Sequence, residues 1–205
     1  MLSSIDKESL AKSITEAERN TSAELVAVVA PASDHYSDFC ILYSLMIGTL
    51  AAAGLWLYQS TTEFSLLLAT QLGAMAFFFL VSPLKRLCIR VVPKPIRHHR
   101  AAHRAFEEYL RISQHVSATT PIVLFYVSLA ERYVHILPSR LVREKIPGTE
   151  WEEIVREFTS LLPKSGLQNA SLHATRRITA LLVSHFPQTG EAHHFHHPVI
   201  ETDRG

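Results

Sequence analysis

Two long stretches without a charge dominate the pattern of apolar and polar positions. Residues 39–58 read FCILYSLMIGTLAAAGLWLY and residues 64–82 read FSLLLATQLGAMAFFFLVS. As helices rising about 1.5 Å per residue, each would cross a hydrocarbon core of roughly 30 Å. At that length in lipid only a helix satisfies its own backbone. The connector Gln59-Ser60-Thr61-Thr62-Glu63 is so short that the two helices must be antiparallel neighbours. Tyr36, Tyr43, Trp56 and Tyr58 fall near the expected membrane interfaces, where amphipathic aromatics gather. Gln71 is the one strongly polar side chain inside a span, and a bond to the partner helix is its expected role. Small residues such as Gly48, Ala52, Gly54, Gly73 and Ala74 allow close packing. A pair of buried core helices in a soluble protein is the competing reading, and two consecutive apolar spans of this length fit it poorly.

The rest of the chain alternates helical and strand periods. Residues 6–19 predict a helix capped by Asp6, with Leu10, Ile14 and Ala17 on one face. Residues 23–30 (AELVAVVA) are a continuous β-prone apolar run, as a strand buried on both faces requires. Pro31 closes it, and the chain enters the membrane near Asp38. Pro93-Lys94-Pro95 interrupts any helix continuing from the second span. An amphipathic helix over 97–114, a buried strand over 121–128 and an alternating strand over 132–137 follow. Two more helices are predicted, over 150–162 and 167–186, separated at Gly166. The tail, 188–205, is polar without periodicity and is expected to be poorly ordered. The fold class is therefore α/β: a small sandwich of three to four strands with flanking helices, split into 1–30 and 97–187. The hairpin and a basic linker (83–96) are inserted in a crossover between two parallel strands.

Composition adds little, because hydrophobic residues make up an ordinary 47% and mean hydropathy is only +0.11. Charge placement is more informative. The connector has no Lys or Arg, whereas Lys85, Arg86, Arg90, Lys94, Arg97, Arg100 and Arg104 follow the second span with no acid between Glu63 and Glu107. Positive flanks stay cytoplasmic, so both termini are expected on that side. The same residues would attract anionic lipid headgroups. A formal net charge of +1 argues against nucleic acid as a partner. The first thirty residues lack an apolar signal core, so both apolar runs are expected in the mature protein. Without an organelle-targeting segment, a bacterial plasma membrane is the default location. Cys40 and Cys88 suit buried or lipid-facing positions rather than a disulfide framework.

Candidate chemistry is sparse. There is no phosphate-binding glycine loop, no H-E-x-x-H and no G-x-S-x-G. Glu24, Asp34 and Asp38 could together hold a divalent cation, although a solvated linker is the ordinary expectation for the two aspartates. His193, His194, His196 and His197 have a spacing that could bind a transition metal, or they are a passive polar tail. His98, His99 and His103 interleave with arginines and could adjust surface charge near pH 6.5. Glu131-Arg132 falls at a β-turn, where a site could sit, though an exposed turn pair is the ordinary expectation.

The run Val127-Ser128-Leu129-Ala130-Glu131-Arg132-Tyr133-Val134-His135-Ile136-Leu137, with Trp151, Ile154-Val155, Gly166-Leu167 and His185-Phe186-Pro187, resembles the TPM domain family, sometimes labelled TPM phosphatase. Ala17-Glu18 and Thr21-Ser22-Ala23-Glu24 look like the same family's opening. The resemblance implies an α/β sandwich around a small sheet. It also implies one of two roles: acid phosphatase, or assembly and quality-control factor of membrane complexes. Two positions depart from the pattern: Ser139 stands where many members have an Asp, and Pro121 where a glycine is frequent. Catalytic residues do not transfer. The expected function is a membrane-anchored module that binds a membrane protein, with no firm cofactor. A divergent metal-dependent phosphatase is the alternative.

Overall fold

The computed structural model describes residues 20–58, 63–80, 92–117, 119–188 and 199–200. The predicted helix over 6–19 lies outside them. The chain divides into two compact units: residues up to Ser33 together with those from His98 onward, and Asp34–Arg97.

The first unit is a mixed α/β domain. Its strands are β1 (Glu24–Ala30), β2 (Ile122–Ser128), β3 (Tyr133–Pro138) and the two-residue β4 (Val199–Ile200), in the spatial order β3-β2-β1-β4. β1 and β2 run parallel, in register from Glu24 opposite Ile122 to Ala30 opposite Ser128. β3 returns antiparallel to β2, and β4 lies parallel to β1. Every residue of β1 and β2 is buried, because both faces are covered. Side-chain alternation sends Leu25, Ala27 and Val29 into one core and Val26, Val28 and Ala30 into the other.

The second core is closed by α3 (Lys94–Ser113), through Ala105 and Ile112. This helix starts at Lys94, three residues before the expected boundary. Pro93 and Pro95 stand at its very beginning, where the first-turn N–H groups lack intrahelical partners and proline costs nothing. The first core is closed by a short helix, α4 (Arg140–Lys145), and by α5 (Gly148–His185). The pattern of apolar positions did not predict α4. α5 breaks at Gly166, whose φ of 77° and ψ of 171° are non-helical, so its two arms match the two helices expected there. Across the break, Arg177 reaches Glu157 at 3.4 Å. In the tail, expected to be poorly ordered, Val199–Ile200 pair with Ala27 and Val28.

The second unit contains two apolar helices, α1 (Ser37–Tyr58) and α2 (Phe64–Leu80). They meet at Gly48, where Gln71 approaches, and the Gln71 amide donates to the Thr49 hydroxyl at 3.3 Å. That is the helix-contact role expected of Gln71. Ile41, Met46, Leu50, Leu57 and Phe77 are exposed, the reverse of a soluble core helix. α1 has 22 residues and is long and apolar enough to cross a membrane. α2 has 17, shorter than the expected span of 64–82, whose last two residues lie outside the described ones.

Candidate functional site at the carboxyl end of the parallel strands

In open α/β sheets, ligands and polar clusters gather where parallel strands end. Here β2 ends at Ser128 and turns tightly through Leu129–Arg132. The Leu129 N–H donates to the Ala30 carbonyl and that of Ala130 to the Pro31 carbonyl, each at 3.0 Å. These two bonds tie the turn to the end of β1, where the parallel register stops at Ala30 opposite Ser128. Arg132 closes it at a positive φ of 52°.

Glu131 folds back into this corner and is 1% exposed. The exposed turn pair that the sequence suggests is thus only half present, because Arg132 faces solvent and Glu131 does not. The Ser33 N–H donates to both carboxylate oxygens of Glu131, at 3.1 and 3.2 Å. The Ser128 hydroxyl donates to the same carboxylate. The Ser33 hydroxyl lies 3.0 Å from the Tyr126 phenol. Burial pushes the Tyr126 pKa up; the Ser33 contact opposes this and the charge of Glu131 adds to it. Tyr126, Ser128 and Glu131 are all essentially inaccessible. A carboxylate in such a place needs hydrogen-bond donors, and the Ser33 N–H and the Ser128 hydroxyl are two of them. The arrangement is a clasp holding the segment that leaves β1.

The acidic residues singled out in the sequence are placed differently. Glu24 is buried at the opposite end of β1. Asp34 accepts the His35 N–H at 2.6 Å, and Asp38 lies in the first turn of α1. Among the described residues no group of three or more His, Cys, Asp and Glu side chains is suited to hold a metal ion. Lys94, Arg97, Arg100 and Arg104 lie on α3, where Arg104 pairs with Glu107 at 3.2 Å and with buried Glu108 at 3.3 Å. His98 packs against Tyr133, with ring centroids 5.6 Å apart, and His103 faces Glu107 at 3.3 Å. Lys85, Arg86, Arg90, His193, His194, His196 and His197 lie outside the described residues.

Ser139, at the position where the resemblance leads one to expect an acid, serves the backbone. Its hydroxyl accepts the Ile122 N–H at 3.2 Å and its own N–H donates to the Ile122 carbonyl at 2.8 Å. Sequence reasoning did not single out Ser33, Tyr126 or Ser128 as site residues. The available signal was a hydroxyl ending an all-apolar strand three residues before a glutamate.

No family model matches the chain, and no curated protein matches it. Among solved structures it is similar to the NMR structure of the BA42 protein from the psychrophilic bacterium Bizionia argentinensis. The TM-score is 0.58 at 10% identity, over 98% of this chain and 95% of that one. At that identity the likeness shows the fold alone.

Proposed function

We propose that this chain is a membrane-anchored TPM-like domain whose α/β head binds another membrane protein, as an assembly or quality-control module. In this reading α1 and α2 form a hairpin through the bilayer, the basic residues after α2 hold both termini in the cytoplasm of a bacterium, and anionic lipid collects around them. The observation that carries the reading is the Glu131 clasp. The buried carboxylate at the strand ends is engaged in fixing Ser33, four residues before α1 begins, rather than facing a substrate. The exposed apolar surfaces of α1 and α2 support a lipid environment. No observation favours the phosphatase reading specifically, so it stands as an outcome of the test.

Three measurements decide it. The full chain should resist alkaline extraction from membranes. With Cys40 and Cys88 replaced, Thr61→Cys should react with an impermeant thiol reagent added from outside intact cells. Purification in mild detergent should retain a stoichiometric membrane-protein partner. Metal-dependent hydrolysis of a generic phosphomonoester by the purified chain would replace this reading with the phosphatase, and labelling of Thr61→Cys only after cell rupture would reverse the topology.

A further inference from the structure

The helix that closes the second core, α3, has two contrasting sides. Ala101, Ala105, Glu108 and Ile112 recur at i, i+4, i+7 and i+11, and all four are buried. His99, His103, Phe106 and Leu110 recur at the same spacing on the outward side, and all four are exposed. Phe106 is 52% exposed and Leu110 44%, and the Phe106 ring stacks on Tyr109 with centroids 6.5 Å apart. Two large apolar side chains thus stand one turn apart on a face that does not serve the core. The same helix is cationic, with Lys94, Arg97, Arg100, Arg104 and Arg111 against two acids, Glu107 and Glu108. Both acids are held within the helix. Glu107 meets Arg104 at 3.2 Å and His103 at 3.3 Å, and buried Glu108 meets Arg104 at 3.3 Å and also Arg111. Glu150, Glu152, Glu153 and Glu157 lie on α5, on the far side of the sheet, so they do not neutralise the outward side of α3.

We infer that the outward side of α3 is a bilayer-contact surface: Phe106 and Leu110 sink into the headgroup layer of an anionic membrane while the cations of the helix meet the lipid phosphates. The inference rests on the membrane-hairpin reading and adds where the head touches lipid. Exposed apolar anchors beside an excess of Lys and Arg are the chemistry of a helix that lies in a membrane interface. Charge selects this occupant over a second copy of the chain, which would bring the same cationic side against itself. Affinity is not demanding either. Residues 81–93 tether α3 to α2, so with α2 in the bilayer a contact too weak to hold a free domain is enough.

The test uses the full chain, with Cys40 and Cys88 replaced, reconstituted in vesicles. His103→Cys carries a fluorophore on the outward side and leaves Phe106 and Leu110 in place. Glu152→Cys carries the same fluorophore at an exposed position of α5, across the sheet. In vesicles of phosphatidylcholine mixed with phosphatidylglycerol, a nitroxide on the lipid headgroups should quench the label at 103 about threefold more than the label at 152. In phosphatidylcholine alone, or in about 1 M salt, that difference should shrink toward none. Replacing Phe106 and Leu110 together by serine should abolish it, and Lys94→Gln, at an exposed side chain, should reduce it without disturbing the core. Equal quenching at the two positions in the anionic vesicles overturns the inference, and so does a difference that persists in phosphatidylcholine alone. Shielding of the label at 103 from aqueous iodide without headgroup quenching also overturns it, because protein and not lipid would then cover that side. Release of the chain by alkaline extraction would sink the hairpin reading by itself. Preferential quenching of the label at 103 by added anionic vesicles would then leave the contact surface standing.

Discussion

The Ser33 amide and the Glu131 carboxylate, 98 residues apart in sequence, form a two-armed hydrogen bond of 3.1 and 3.2 Å. It joins the segment leaving β1 to the turn between β2 and β3. Glu131→Ala would take this acceptor from the half-buried Ser33 N–H and the buried Ser128 hydroxyl, a loss of about 3 kcal/mol. Glu131→Gln keeps one oxygen acceptor and should cost less, about 1–2 kcal/mol. Ser33→Ala retains the backbone donor and gives up only the Tyr126 contact, so about 1 kcal/mol is expected. Thermal unfolding of the three variants in detergent should rank them in that order. Equal stability of Glu131→Ala and the unaltered chain would show that the clasp does not hold the fold.

The elements legible in sequence are those whose cause is local. AELVAVVA predicts a strand covered on both faces, and β1 is that strand. Gly166 separates two helical periods, and the chain breaks there. The burial of Glu131 is not legible locally, because it depends on Ser33 in another part of the chain and no local pattern carries that information. α4 was missed because a six-residue helix is too short to show a period. Val199–Ile200 were missed because a two-residue strand has no alternation of its own. The start of α3 differs from the expected one because proline stops a helix in its interior and starts one at its first turn.

Close approach of α1 and α2 depends on one glycine. A Cβ at Gly48 would stand 2.9 Å from the Gln71 backbone carbonyl and 3.2 Å from its Cγ. The nearer atom is backbone, so the helices must separate, at about 1–3 kcal/mol for Gly48→Ala. Gly54 and Gly73 have nothing within 4 Å of the same position. Alanine there should stay within about 0.5 kcal/mol of neutral. Thermal unfolding in detergent, followed by helical circular dichroism, should separate Gly48→Ala from the other two. Identical curves for all three would place the helix contact elsewhere.

Gly166 offers a backbone test without a steric component. Its φ of 77° with ψ of 171° is a combination that side chains with a Cβ rarely adopt, and nothing lies within 4 Å of a Cβ built there. Gly166→Ala should therefore cost about 1–3 kcal/mol through torsion alone. Asparagine tolerates positive φ mainly with ψ near that of the left-handed helix, so Gly166→Asn should recover little of the loss. Urea unfolding of both variants checks this. Full stability of Gly166→Ala would mean that the two arms of α5 can join by another route.

Alkaline titration probes the same corner as the clasp. The folded chain holds the Tyr126 phenol above its ordinary value of 10.0, chiefly because burial disfavours the phenolate. A group raised by folding contributes stability that is complete below its unfolded pKa and is lost as pH climbs through the folded one. Stability should accordingly decline from about pH 10 upward. Tyr126→Phe should flatten that decline, while losing about 1 kcal/mol at neutral pH with the Ser33 contact. Tyr133 is also raised by burial, so the slope should shrink without vanishing. Chemical unfolding at a series of pH values from about 8 to about 11 makes the comparison. Parallel curves for the two proteins would mean that the Tyr126 phenol ionises as readily in the folded chain as in the unfolded one, and that the corner around Glu131 admits water.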